Sequence, residues 1–87
     1  ATLHEWTILD LGIFLGHICI AAEAKGFSTC LQASLVTWPD IIRKHLNVGS
    51  EETLAVGFSI GYMDTSEPAN SFHSNRVPVE EVLKFVE

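Results

Sequence analysis

The feature that most constrains this chain is a run of about twenty residues, Trp6 to Lys25, that is apolar on two opposite sides at once. At about 100° per residue, Asp10 and His17 share one narrow polar stripe, with Thr7 and Lys25 near it. Glu5, Gly12, Gly16, Cys19 and Glu23 cluster on the opposite side. Leu11, Leu15, Ile18 and Ala22 form one flank between these stripes, and Leu9, Ile13, Ile20 and Ala24 form the other. A helix apolar on two flanks needs cover on both. The rest of the 87 residues offers about one strand, two short helices and loops, hardly enough for the task. The expectation is an extensive dimer or a further half of the fold. Asp10, His17 and Glu23 interrupt the run, which reads as too polar and too short for a membrane span of about 20 apolar residues. No early Lys or Arg marks a secretory signal, since the first basic residue is Lys25. Ala1 runs almost directly into the apolar segment, so a soluble chain that has lost its front part is expected.

Turn chemistry divides the rest of the chain. Gly26 closes the first helix as a C-cap, with Lys25 suited to the negative end of its dipole. A short extended segment, Phe27 to Ser34, comes next. Trp38-Pro39-Asp40 opens a second helix with Pro at its first position, running to about Leu46 and stopping near Asn47 and Gly49. Thr53 to Tyr62 is rich in β-branched and aromatic residues and reads as a buried strand. Asp64 to Asn75 reads as a polar loop, and Pro78 starts a last helical turn or two, with Glu80 and Glu81 at its positive end. No repeat or linker divides residues 1–87, so a single α+β unit is expected.

Composition removes several function classes. With 47% hydrophobic and 18% charged residues the chain is no disordered tail. Eleven acidic residues against five basic ones give a charge of −6, the wrong sign for a nucleic-acid-binding module. Two cysteines do not staple a mini-protein and point to a reducing compartment. Cys30 reads as a buried, inert thiol. His17 and Cys19 diverge by about 160° on their helix and cannot share an ion. His4, His45 and His73 lack ligand spacing, so no metal is expected. No nucleophile–base pair or elbow motif stands out. Gly12 and Gly16 share a helical face, which suits either helix packing or close approach of a flat ring. Gly57 and Gly61 repeat the idea on the strand. Arg76 is the one Lys or Arg between Leu46 and Glu81, among Asn70, Ser71, Ser74 and Asn75. Its planar fork suits a phosphate or carboxylate, or a salt bridge to Glu80 or Glu81.

Four pieces in order carry a resemblance that runs from about Leu9 to Val86. They are LDLGIFLGHICIAAEAKGFSTCLQAS, TWPDIIRKHLNV, LAVGFSIGYMD and NRVPVEEV. Together they resemble the C-terminal half of a nitroreductase-family flavoprotein. The first is similar to the family's central helix, Gly end and Thr-Cys turn beside the flavin. The second is similar to its short Pro-initiated helix, and the third to a strand ending in Gly-Tyr, with Met63 where Pro is usual. The fourth is similar to its Arg-x-Pro-x-Glu-Glu ending.

The resemblance implies the C-terminal part of a nitroreductase-like α+β fold, with a central apolar helix packed on a sheet. It also implies a cytoplasmic homodimer with FMN in the subunit interface. Hydride would pass from NADH or NADPH through the flavin to nitroaromatics, quinones or similar acceptors. Leu31, Gln32, Ala33 and Ser34 match the segment beside the isoalloxazine, where a backbone donor would lie near N5 and O4. Arg76 and Ser74 match the phosphate-contacting pair, with Ser74 standing where Lys is frequent. No residue is assigned as general acid or base, and His17 and His73 remain substrate-side candidates only. The family's Arg-Arg-Ser-type phosphate grip has no counterpart in ATLHEW, so the chain is expected to hold about half of a flavin site. The alternative is a truncated, non-enzymatic dimerisation or interaction module.

Overall fold

Leucine, isoleucine and alanine at helical spacing carry residues Leu3–Ala24 through one uninterrupted 22-residue helix, α1, in the computed structural model, which describes residues 3–87. The approach of the chain from Ala1 lies outside the described residues. α1 ends where the sequence places its stop. Gly26 adopts φ 84°, the Gly26 amide donates to the Glu23 carbonyl (3.0 Å) and the Phe27 amide to the Ala22 carbonyl (2.9 Å). This pair of bonds is a Schellman motif, which satisfies the last carbonyls of the helix and reverses the chain. At 22 residues α1 is long and apolar enough to cross a membrane by length and composition alone, as core helices of soluble proteins also can be, which corrects the expectation that it is too polar and too short.

The reversal delivers β1, Ser28–Gln32, onto α1. Phe27, the first residue past the turn, stacks at 5.1 Å between ring centroids on Tyr62 and ties the helix end to the later strand. A 3-10 turn at Ala33–Val36 comes next, then α2, Pro39–Leu46, with Pro39 opening it and Arg43, Lys44 and His45 in its last turn. Asn47, at φ 54°, ends α2 in the left-handed conformation that Asn tolerates. Arg43 then fixes the loop beyond, its Nη1 donating to the carbonyls of Gly49 (3.0 Å) and Glu52 (2.8 Å).

β2, Gly57–Gly61, returns antiparallel to β1 with Ser28 opposite Gly61, Cys30 opposite Ser59 and Gln32 opposite Gly57. The strand is shorter than Thr53–Tyr62, because β1 offers a ladder only five residues long before it turns away. Nor is it buried: Ile60 is 55% exposed and Leu31 on the paired strand 54%. Two strands alone leave both outer edges and much of each face open. A second 3-10 turn, Pro68–Ser71, lies within the polar loop, and α3, Val79–Val82, is one turn after Pro78.

Burial separates the two flanks of α1. Leu11, Leu15 and Ile18 are half-buried and Ala22 is buried, whereas Leu9, Ile13, Ile20 and Ala24 are all exposed. Ala22 is the one buried hydrophobic residue among the described residues. Accessible area is 7966 Å², against about 5,100 Å² for a compact protein of this mass. The radius of gyration is 16.8 Å, where about 12 Å is usual for this length. One flank of α1 is covered by this chain and the other is bare.

Candidate functional site

The six residues singled out in the sequence fall into two places. Leu31 and Gln32 end β1, and Ala33 and Ser34 begin the 3-10 turn. Leu31, Ala33 and Ser34 are exposed and Gln32 is half-buried, so this end of the ribbon presents backbone and small side chains. Gln32 sits at the head of the turn without capping it. Its Oε1 instead accepts a hydrogen bond from the Ser59 hydroxyl at 3.0 Å across the sheet. Leu35, one residue further, folds back over Gly57, the residue opposite Gln32.

Ser74 and Arg76 lie in the irregular stretch that leads to α3. Arg76 Nη1 donates to Ser74 Oγ at 2.7 Å, to the Asn75 carbonyl at 3.1 Å and, at the limit of bonding distance, to the Ser74 carbonyl at 3.5 Å. Its guanidinium is thus held by neutral groups of its own loop. Among the described residues it makes no ion pair with Glu80 or Glu81, which occupy the first turn of α3. These acceptors all engage one nitrogen of a rigid fork with five N–H donors, so charge and donors remain for an anion. Among the described residues no hydrogen bond joins this pair to the 31–34 segment.

An open depression of about 490 Å³ lies at the other end of the ribbon and includes none of the six residues. Glu23, Cys30, Tyr62, Asp64 and Asn70 help to line it. Asp64 organises its rim. Asp64 Oδ1 accepts from the Ser66 hydroxyl (2.6 Å) and amide (2.9 Å), and its carbonyl accepts from Asn70 Nδ2 (2.7 Å). The Ser66 hydroxyl, then the Ser66 amide, hold the Asp64 carboxyl below the usual carboxylate range. The Asp-x-Ser spacing is the sequence signal for this turn.

Cys30 corrects its expected burial. It is exposed, because its partner Ser59 and the open face of a two-stranded sheet give it no cover. Cys19 is half-buried, and both thiols are free. Among the described residues no three His, Cys, Asp or Glu side chains gather as a metal site. A Cβ added at Gly12, Gly16 or Gly61 would meet no atom within 4 Å, so the close approach those glycines permit is not made among the described residues.

No family model matches the chain. Curated relatives do. It is 32% identical over 79 residues to a 4-nitrobenzoate reductase of Nocardioides sp. (strain LMS-CY), covering 91% of this chain and 32% of that protein. It is 31% identical over 83 residues to a nitrobenzene nitroreductase of Ectopseudomonas oleovorans, covering 94% and 37%. With a chloronitrobenzene nitroreductase of Comamonas testosteroni the identity is 32% over 83 residues, again 94% and 37%. The chain spans about a third of the length of the curated relatives it matches.

Proposed function

Because this chain belongs to the nitroreductase family, we propose that it is the C-terminal part of an FMN-dependent oxidoreductase acting on nitroaromatic or similar acceptors. Three relatives named for the reduction of nitrobenzoate or nitrobenzenes support that substrate class. Within the chain, one observation carries the reading: the Arg76 guanidinium is oriented by Ser74 and Asn75 and is not neutralised by a carboxylate.

The residues present fit one end of the cofactor better than the whole of it. Arg76 and Ser74 would hold the FMN phosphate, the first through its fork and the second through its hydroxyl. Leu31, Gln32, Ala33 and Ser34 would line the isoalloxazine, offering backbone amides that influence flavin electronics. FMN, when bound, supplies the hydride chemistry, with NADH or NADPH as the donor. Against a formal charge of −6, one oriented Arg is a weak electrostatic grip for a dianion. A partner chain or further part of the protein is needed to complete the site.

That need agrees with the bare flank of α1, so we place the flavin at a homodimer interface in a cytoplasmic protein. A non-enzymatic interaction module is the second reading, favoured by the same exposed flank, which serves dimerisation whether or not flavin binds.

Titration of the 87-residue chain with FMN, followed by flavin fluorescence, tests the proposal. Saturable binding that Arg76→Ala weakens by about tenfold is expected, the size of a single charge-assisted hydrogen bond. No binding at high micromolar flavin overturns the claim that this chain holds a working half-site and favours the module.

A further inference from the structure

Gly57 is the glycine in this chain whose missing side chain is filled by a neighbour from another element. A Cβ built there would collide with Leu35 Cδ1 and lie 3.0 Å from Leu35 Cβ and 3.2 Å from Leu35 Cγ. Gly57 does not have a positive φ, so its backbone suits an L side chain and the obstacle is Leu35. The methyl alone would yield by changing rotamer. Leu35 Cβ is different, since it moves only with its backbone. A side chain at position 57 therefore requires the 3-10 turn Ala33–Val36 to yield by a few tenths of an ångström.

The placement is specific. Gly57 is the first residue of β2 and pairs with Gln32, the last of β1, so the turn begins immediately beside it and folds back across it. Leu35 is 43% exposed, so the turn is held by its contacts with β2 and α2 rather than by burial in a core. Gln32 is fixed from the other direction by the Ser59 hydroxyl. These two contacts bracket the segment that contains Gln32, Ala33 and Ser34.

We infer that Gly57 and Leu35 form a lock that positions the Gln32–Ser34 backbone, making Gly57 a positioning residue for the isoalloxazine end of the flavin site. This rests on the flavin-lining role proposed for residues 31–34. Its own content is the mechanical link between position 57 and the turn, which is measurable without flavin.

The test is a double-mutant cycle on the isotope-labelled chain, reading backbone amide resonances with and without added FMN. Gly57→Ala moves the amides of residues 32–36 and leaves those of α2 in place, whereas the same substitution in the Leu35→Gly background, which removes the Leu35 Cβ, moves them little. FMN affinity shows the same pattern, falling about tenfold for Gly57→Ala with Leu35 present and much less without it. Equal displacement in both backgrounds, or none in either, overturns the lock. Should Gly57→Ala fail to fold, Leu35→Ala alone decides. Faster amide exchange at residues 33–36 with the β1–β2 ladder still protected supports the lock, and unchanged exchange overturns it. If the amides respond as expected but FMN perturbs none of residues 31–34 in the unmodified chain, the flavin role of the segment is overturned while the lock stands.

Discussion

Placing a charge on the bare flank of α1 is the sharpest perturbation of the proposed assembly. Ile13 is 52% exposed and Ile20 71%, and both lie on the flank that the chain's own sheet leaves uncovered. The accessible area exceeds that of a compact protein of equal mass by about 2,900 Å². That excess is larger than the roughly 800 Å² each partner contributes to a standard interface and belongs with obligate assemblies. The chain at micromolar concentration is therefore expected to sediment as a dimer or larger species. An unpaired carboxylate forced into such an interface costs about 3 kcal/mol, or roughly a hundredfold in the dissociation constant per site. Ile13→Glu combined with Ile20→Glu should shift sedimentation equilibrium strongly toward monomer. Ser50→Glu combined with Thr53→Glu, an equal charge at exposed polar positions, should not. A chain that sediments as a single 9.6 kDa species and behaves identically with both flank substitutions would refute the reasoning.

Two local predictions rest on single residues. Gly26→Ala places a Cβ at φ 84°, which costs about 1–2 kcal/mol, and at about 4–8 °C per kcal/mol it lowers the thermal midpoint measurably. An unchanged midpoint means that the turn after α1 does not hold Gly26 at positive φ. Asp64 has a folded-state pKa below its unfolded value, so its turn gains stability above the unfolded pKa and loses it as pH falls through the folded one. The Ser66 amide resonance should therefore titrate with a midpoint below the usual carboxylate range, and Ser66→Ala should raise the Asp64 midpoint. A midpoint at the ordinary value in the unmodified chain contradicts the hydrogen bonds to Ser66.

Local chemistry made the ends of elements legible before their contacts. Gly26, Pro39 and Asn47 mark boundaries because positive φ or a missing N–H leaves few residue types able to serve there. The two flanks of α1 were equally readable as apolar, but helical periodicity does not say which flank meets the sheet. That choice is made by the Schellman turn and by the fold-back of β1 onto the flank of Leu11, Leu15, Ile18 and Ala22. Thr53–Val56 shows the opposite failure. The segment has strand propensity, yet a ladder needs a partner, and β1 ends at Gln32. Cys30 likewise looked like a core thiol because a free cysteine is ordinarily buried, which a two-stranded ribbon cannot provide. Within the candidate site, Arg76 stood out as a lone cation among hydroxyls and amides, and its pairing with Ser74 came from the family resemblance. The packing of Leu35 on Gly57 was not, because it depends on a 3-10 turn whose handover from β1 leaves no compositional mark.

The ribbon of β1 and β2 has a consequence for how this chain survives synthesis. Each strand carries an outer row of amides and carbonyls that meets no third strand among the described residues, a template for pairing with any extended neighbour. Until a proper strand arrives, newly made copies compete to fill it with one another, and the misassembly rate rises with their concentration. Two features restrain that competition. β2 begins and ends in glycine, a poor extender of a ladder, so mispairing has only five residues in which to grow. A net charge of −6 on each copy slows their encounter, most strongly at low ionic strength. Yield in expression should thus depend on salt and on co-synthesis with whatever covers the sheet, as a matter of kinetics before any question of catalysis arises.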